Sequence, residues 1–124
     1  MLKKDKKPVM KLVKNSVKKP WGDYLILEKY PDYWLKKLSI RKGEELSLQN
    51  HKNRSEIWVV LRGKVKVQKG ENFFILEKGD HVKINKKEKH RIHGLSNAII
   101  MEAAFGQPRE KDIKRYQDKY GRAK

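Results

Sequence analysis

The side chains best suited to chemistry lie between residues 43 and 63. The order is Gly43, five residues, Gln49, one residue, His51, four residues, Glu56, six residues, Gly63. A second segment reads Gly79, five residues, Asn85, one residue, Lys87, two residues, His90. Together they supply two imidazoles, one carboxylate and one amide oxygen. Hard-to-borderline divalent ions such as zinc, manganese, iron or nickel accept that donor set. Four protein ligands in an octahedral site leave two positions for water or substrate oxygens. Taken singly each residue is ordinary: a packed histidine, a surface amide, a solvated carboxylate. The spacing of the whole set is what singles them out. His81 and His93 fall outside the pattern and are expected not to be ligands.

Strands must hold such a set. On a strand, Gln49 and His51 share a face, and Glu56 opens the next apolar run, Ile57-Trp58-Val59-Val60. Further strand-like runs are Tyr24–Leu27, Tyr33–Leu35, Leu38–Ile40, Phe73–Leu76, Val82–Ile84, His90–Leu95 and Ala98–Ala104, with Val65 and Val67 alternating with lysines. Glycine turns separate them at short, even intervals, as in an antiparallel sandwich or barrel. After Pro108, Ile113, Tyr116 and Tyr120 fall at helical spacing and Gly121 follows as a stop signal, which predicts a short C-terminal helix.

The chain's 124 residues suit one domain with one core. Cysteine is absent, which excludes disulfides and thiolate metal sites. No apolar run approaches the roughly 18 residues of a membrane span, and nothing reads as a signal peptide, so a cytoplasmic protein is expected. Residues 1–19 hold eight lysines and one aspartate, the composition of a flexible basic arm ahead of one domain over residues 20–124. The net charge of +17 comes from 25 Lys and 7 Arg. Arginine is the residue of bidentate phosphate and base recognition. The lysine excess therefore reads as a solvated surface, and neither nucleic acid nor membrane is the expected partner.

At these motifs the chain resembles the cupin superfamily, with Gln49 in place of the first histidine of its first motif. That replacement, with Lys19-Pro20-Trp21-Gly22-Asp23-Tyr24, the Leu46–Val60 stretch, His90-Arg91 and Asp112-Ile113-x-Arg115-x-x-Asp118-x-Tyr120-Gly121-Arg122, is similar to the type II mannose-6-phosphate isomerases. The resemblance covers about residues 18–122. Asn85 and Lys87 stand where the second motif usually has Pro and Gly. The guanylyltransferase domain that usually precedes this one is missing, so nucleotidyl transfer is not expected.

The resemblance implies an all-β cupin, a double-stranded β-helix or jelly-roll barrel. It would hold one divalent metal through Gln49, His51, Glu56 and His90, with zinc ahead of manganese, iron, cobalt or nickel. It implies interconversion of mannose 6-phosphate and fructose 6-phosphate for GDP-mannose and polysaccharide precursors, so a small phosphorylated sugar is the expected substrate. The proton moves between C1 and C2 through an enediol, which needs an electrophile, a base and cations for the phosphate. Arg54 shares the Glu56 face, and Lys36 has the parity of Leu38 and Ile40. With Arg91 they are the candidates for phosphate or enediolate contacts. Water at the ion, Glu102, or a lysine of lowered pKa could serve as base. Cupins also pair through strand edges, so a homodimer is expected. The competing expectation is a non-catalytic metal-containing cupin module that binds a sugar phosphate or nucleotide sugar.

Overall fold

The computed structural model describes residues 16–123. These form β1 (Ser16–Lys19), β2 (Gly22–Tyr30), β3 (Tyr33–Ile40), β4 (Leu48–Asn50), β5 (Arg54–Arg62), β6 (Lys64–Lys69), β7 (Asn72–Glu77), β8 (His81–Ile84), β9 (His90–Gly94), β10 (Ala98–Gly106) and β11 (Lys114–Gln117). Every pairing is antiparallel. One sheet runs β1-β2-β3-β10-β5-β8 and the other β11-β4-β9-β6-β7. Between them lies a core built on Trp58, Val60, Val65, Val67, Ile92 and Ile100.

Alternation decides which side chains face inward. In β5 the residues Arg54, Glu56, Trp58 and Val60 are buried, and their neighbours Ser55, Ile57 and Val59 are partly exposed. Strand β3 repeats the pattern with Trp34, Lys36, Leu38 and Ile40 inside. The same two-residue period that buries the apolar core thus carries Arg54, Glu56 and Lys36 into the interior. Gly22 shows how tightly β2 and β3 approach. Its φ is +156°, and a Cβ there would run into the Ser39 carbonyl oxygen.

Two expectations from sequence change here. No helix forms among the described residues near the C-terminus. Lys114–Gln117 is strand β11, paired with β4. The open edge of β4 satisfies the backbone of so short a segment, which one helical turn would leave largely unsatisfied. Tyr120 still packs against the core, as its apolar spacing suggested. The basic arm also ends sooner than residue 19. Ser16–Lys19 pairs with Leu25–Gly22 as an outer strand, because ladder hydrogen bonds need no apolar side chains and lysines suit an exposed edge. The rest of the arm, residues 1–15, lies outside the described residues.

Candidate metal centre

His51 follows β4, Glu56 lies in β5 and His90 opens β9. All three are buried, with side-chain exposures of 2–3%. His51 Nε2 is 3.4 Å from Glu56 Oε2. His90 Nε2 is 3.8 Å from Glu56 Oε1. One ligand atom from each lies within 4.8 Å of the others. The backbone fixes both rings. His51 Nδ1–H donates to the Asp112 carbonyl at 2.6 Å, and His90 Nδ1–H donates to the Glu88 carbonyl at 2.8 Å. Each Nε2 is then the unprotonated nitrogen beside Glu56, the outer-shell arrangement that prepares imidazoles to bind a cation, and that of His51 accepts from Arg54 Nη2 at 3.1 Å.

Electrostatics keep the donors in the right protonation state. Burial lowers the His51 pKa to about 4, and burial lowers that of His90 as well. Both are neutral near pH 7, as ligation requires. Burial pushes the Glu56 carboxyl up, but His90, Arg54 and His51, the imidazoles acting in their protonated forms, outweigh it and hold it below the usual carboxylate range; near pH 7 the Arg54 guanidinium is the cation beside it. Gln49 is the cross-strand partner of His90 and is buried at 9% exposure. Its amide nitrogen donates to Ser47 Oγ at 3.0 Å, which leaves its oxygen free to face the same cavity. Two neutral imidazoles and one carboxylate within 4.8 Å of one another, with the Gln49 amide lining the adjoining cavity, fit a divalent ion.

Arg54 is the cation nearest this centre. Its Nε–H donates to Glu56 Oε2 at 2.9 Å, its Nη1–H to the Arg109 carbonyl at 2.7 Å, and Nη2 lies 3.1 Å from His51 Nε2. The guanidinium stacks on Trp34 at 4.7 Å. Lys36 is buried and its Nζ donates to Glu110 Oε2 at 2.6 Å. Arg91 stands on the face of β9 opposite His90 and reaches Glu45 and Gln117. Of the three cations expected to meet substrate, the structure brings Arg54 and Lys36 into the interior, whereas Arg91 lines the edge of the same cavity with a side chain 16% exposed and its Nε–H buried without an acceptor among the described residues. His93 pairs with Glu45 at 3.2 Å and His81 is exposed on β8, so neither joins the cluster.

The loop between β10 and β11 organises the site, a role the helical reading of the C-terminus concealed. Besides the Asp112 carbonyl, its carboxylate accepts the backbone N–H groups of Lys52 and Asn53 at 2.9 and 2.8 Å. Glu110 accepts both Lys36 and the Tyr24 hydroxyl. Lys87, where a glycine was the expectation, takes a left-handed φ of +69°. Its N–H donates to the His51 carbonyl at 2.7 Å and its carbonyl accepts from Asn50 at 3.0 Å. These two bonds hold a conformation that costs a non-glycine residue about 1–2 kcal/mol. Glu102 lines the same cavity from β10 at 7% exposure and accepts the Trp34 indole N–H at 2.8 Å. Burial first, then the charge of Glu56, push its carboxyl up to about 7.

A two-sheet antiparallel barrel with an inward His-Glu-His cluster is the architecture of a cupin. The chain is similar to an RmlC-like cupin from Shewanella frigidimarina NCIMB 400, with a TM-score of 0.65 at 19% identity, covering 71% of this chain and 78% of that one. The family described as "Mannose-6-phosphate isomerase C-terminal" matches residues 6–118, and the chain belongs to it. It is 34% identical over 111 residues to the alginate biosynthesis protein AlgA of Pseudomonas syringae pv. tomato, covering 87% of this chain and 23% of that protein. It is 31% identical over 113 residues to mannose-1-phosphate guanylyltransferase of Escherichia coli K12, covering 89% of this chain and 24% of that protein. The chain thus spans about a quarter of the length of these curated relatives.

Proposed function

We propose that the chain is a metal-dependent aldose–ketose isomerase that interconverts mannose 6-phosphate and fructose 6-phosphate, serving polysaccharide precursor synthesis in the cytoplasm. The observation that carries this reading is the pair of neutral imidazoles whose Nε2 atoms lie 3.4 and 3.8 Å from the buried Glu56 carboxylate, which shares a cavity with a second buried carboxyl, Glu102. Membership of the isomerase family supplies the substrate class.

His51, Glu56, His90 and Gln49 would hold the ion, with zinc the first candidate. A divalent ion held there would polarise the sugar carbonyl and stabilise the developing enediolate. Arg54, already against Glu56, adds fixed positive charge where the enediolate oxygens form. Glu102 is placed to take the proton from C2 of the open-chain aldose and return it to C1. Its carboxyl sits near 7, the range in which one group both accepts and donates at neutral pH. Lys36 is adjacent to this carboxyl across the β3–β10 ladder. Its charge favours the ionised form of Glu102 and so keeps the base available.

The test is a coupled assay on mannose 6-phosphate with metal-depleted and metal-restored protein. Turnover that disappears on chelation and returns with a divalent ion is expected. A metal-loaded, folded chain without turnover would leave a binding module instead.

A further inference from the structure

Three cations have no task in the isomerase reading, yet they line the same cavity as Gln49, Glu56 and His90. Lys19 ends β1, Arg115 lies in β11, and Arg122 follows the turn after it. They come from opposite ends of the chain and from the outer strands of the two different sheets. The two sheets thus bring these cations together at one cavity of about 170 Å³.

Gathering like charges is unfavourable unless something compensates. Burial, then Arg122, hold both Lys19 and Arg115 below their ordinary values. Arg122 has its own counter-ion: Nε and Nη2 donate to the Asp118 carboxylate at 2.8 and 2.9 Å. Lys36 and Arg54 are likewise matched, to Glu110 and Glu56. Lys19 and Arg115 differ. Neither side chain has a hydrogen bond or ion pair among the described residues, and the Arg115 Nε–H is buried with no acceptor among them; the Nε–H of Arg91 at the edge of the same cavity is orphaned too, but its terminal nitrogens reach Glu45 and Gln117. Buried donors are nearly always satisfied, so an orphan beside a cavity marks a place for an acceptor from outside the chain. A dianion would relieve the repulsion and satisfy the donor together. An arginine fork and a lysine point charge suit a phosphate.

We propose that Lys19 and Arg115, backed by Arg122, bind the phosphate of a phosphate monoester whose sugar end reaches Glu56 and His90. This deepens the isomerase reading and rests on it for the sugar, whereas the anion site stands on its own observations. It also gives a role to two motifs that the metal centre leaves unexplained, the entry segment at Lys19 and the C-terminal segment from Arg115 to Arg122.

The experiment is calorimetric titration of the full chain with inorganic phosphate, mannose 6-phosphate and mannose, each with and without chelator. The variants are Arg115→Gln, Lys19→Gln and, as a control on exposed β8, Lys83→Gln. Phosphate binding should survive chelation. Arg115→Gln and Lys19→Gln should each weaken phosphate and mannose 6-phosphate about tenfold, the loss of one charge-assisted contact. Lys83→Gln should change neither, and mannose should not respond to any variant. Should Arg115→Gln fail to fold, Lys19→Gln on the outer strand decides the question. Unchanged phosphate affinity in Lys19→Gln, or an equal loss in Lys83→Gln, would overturn the site and leave only the general charge of the chain. Phosphate binding that depends on Arg115 in a protein without turnover would uphold the site while removing the isomerase.

Discussion

Replacing Glu56 by Gln keeps the side chain's shape and removes its charge, which isolates what that charge does for the fold. Glu56 Oε2 accepts Arg54 Nε–H at 2.9 Å and Oε1 accepts Trp58 Nε1–H at 3.0 Å. A glutamine has one oxygen, so its NH₂ must face one of these two donors. It also leaves the Arg54 guanidinium buried without a counter-ion. Breaking a buried pair from one side costs roughly 3–5 kcal/mol. Arg54 keeps its bond to the Arg109 carbonyl and its stacking on Trp34, which favours the lower end of that range. Glu56→Gln should therefore destabilise the chelator-treated protein by about 3 kcal/mol, lowering the melting temperature by on the order of 10 °C. Adding Arg54→Gln removes both charges, so the double variant should recover at least about 1 kcal/mol relative to the sum of the single changes. Urea unfolding of the four proteins gives the cycle. A Glu56→Gln protein within about 0.5 kcal/mol of the parent, or a cycle without coupling, would refute the buried ion pair as described.

Arg54→Gln should retain one ion per chain by elemental analysis but lower turnover about a hundredfold, the loss of one donor aimed at developing negative charge. Glu102→Gln should abolish turnover and change the pH profile of stability. The native carboxyl is raised to about 7 from 4.5, so its stabilising contribution is complete below 4.5 and disappears as pH rises through 7. In chelator at pH 8, Glu102→Gln should be more stable than the parent by roughly 2–3 kcal/mol, and the two should converge below pH 4.5 in denaturant titrations. Gly22→Ala should separate β2 from β3 at Ser39 and cost more than about 3 kcal/mol, because the clash is with backbone. Gly43→Ala, with nothing within 4 Å, should cost only about 1–2 kcal/mol for its positive φ.

The strands and the metal cluster were legible because both are written in short-range periodicity. Val65 and Val67 among lysines, or Arg54, Glu56 and Trp58 in one parity, announce their faces without knowledge of partners. The histidines separated for the same reason: His90 and His93 have opposite parity, and β9 buries the first while leaving the second partly exposed. What the sequence hid depends on contacts between distant segments. Residues 113–120 have helical spacing, yet the free edge of β4 captures Lys114–Gln117 as a strand. That capture carries Asp112 beneath His51 and Arg115 to the cavity beside Lys19. Ser16–Lys19 had the composition of a tail, and only pairing with β2 made it part of the sheet. Arg91, taken from the His90-Arg91 pair of the second motif, alternates onto the other face of β9 yet still lines the edge of the cavity.

The central claim is that His51, Glu56 and His90, with Gln49, hold the ion on which turnover depends. Its most direct test measures bound metal and mannose 6-phosphate turnover together in the parent protein, His90→Ala and His93→Ala. One ion per chain and comparable turnover are expected in the parent and in His93→Ala. Loss of both, with a lower melting temperature because bound metal stabilises only the folded state, is expected in His90→Ala. Full occupancy and full turnover in His90→Ala, or an empty site in His93→Ala, would contradict the account.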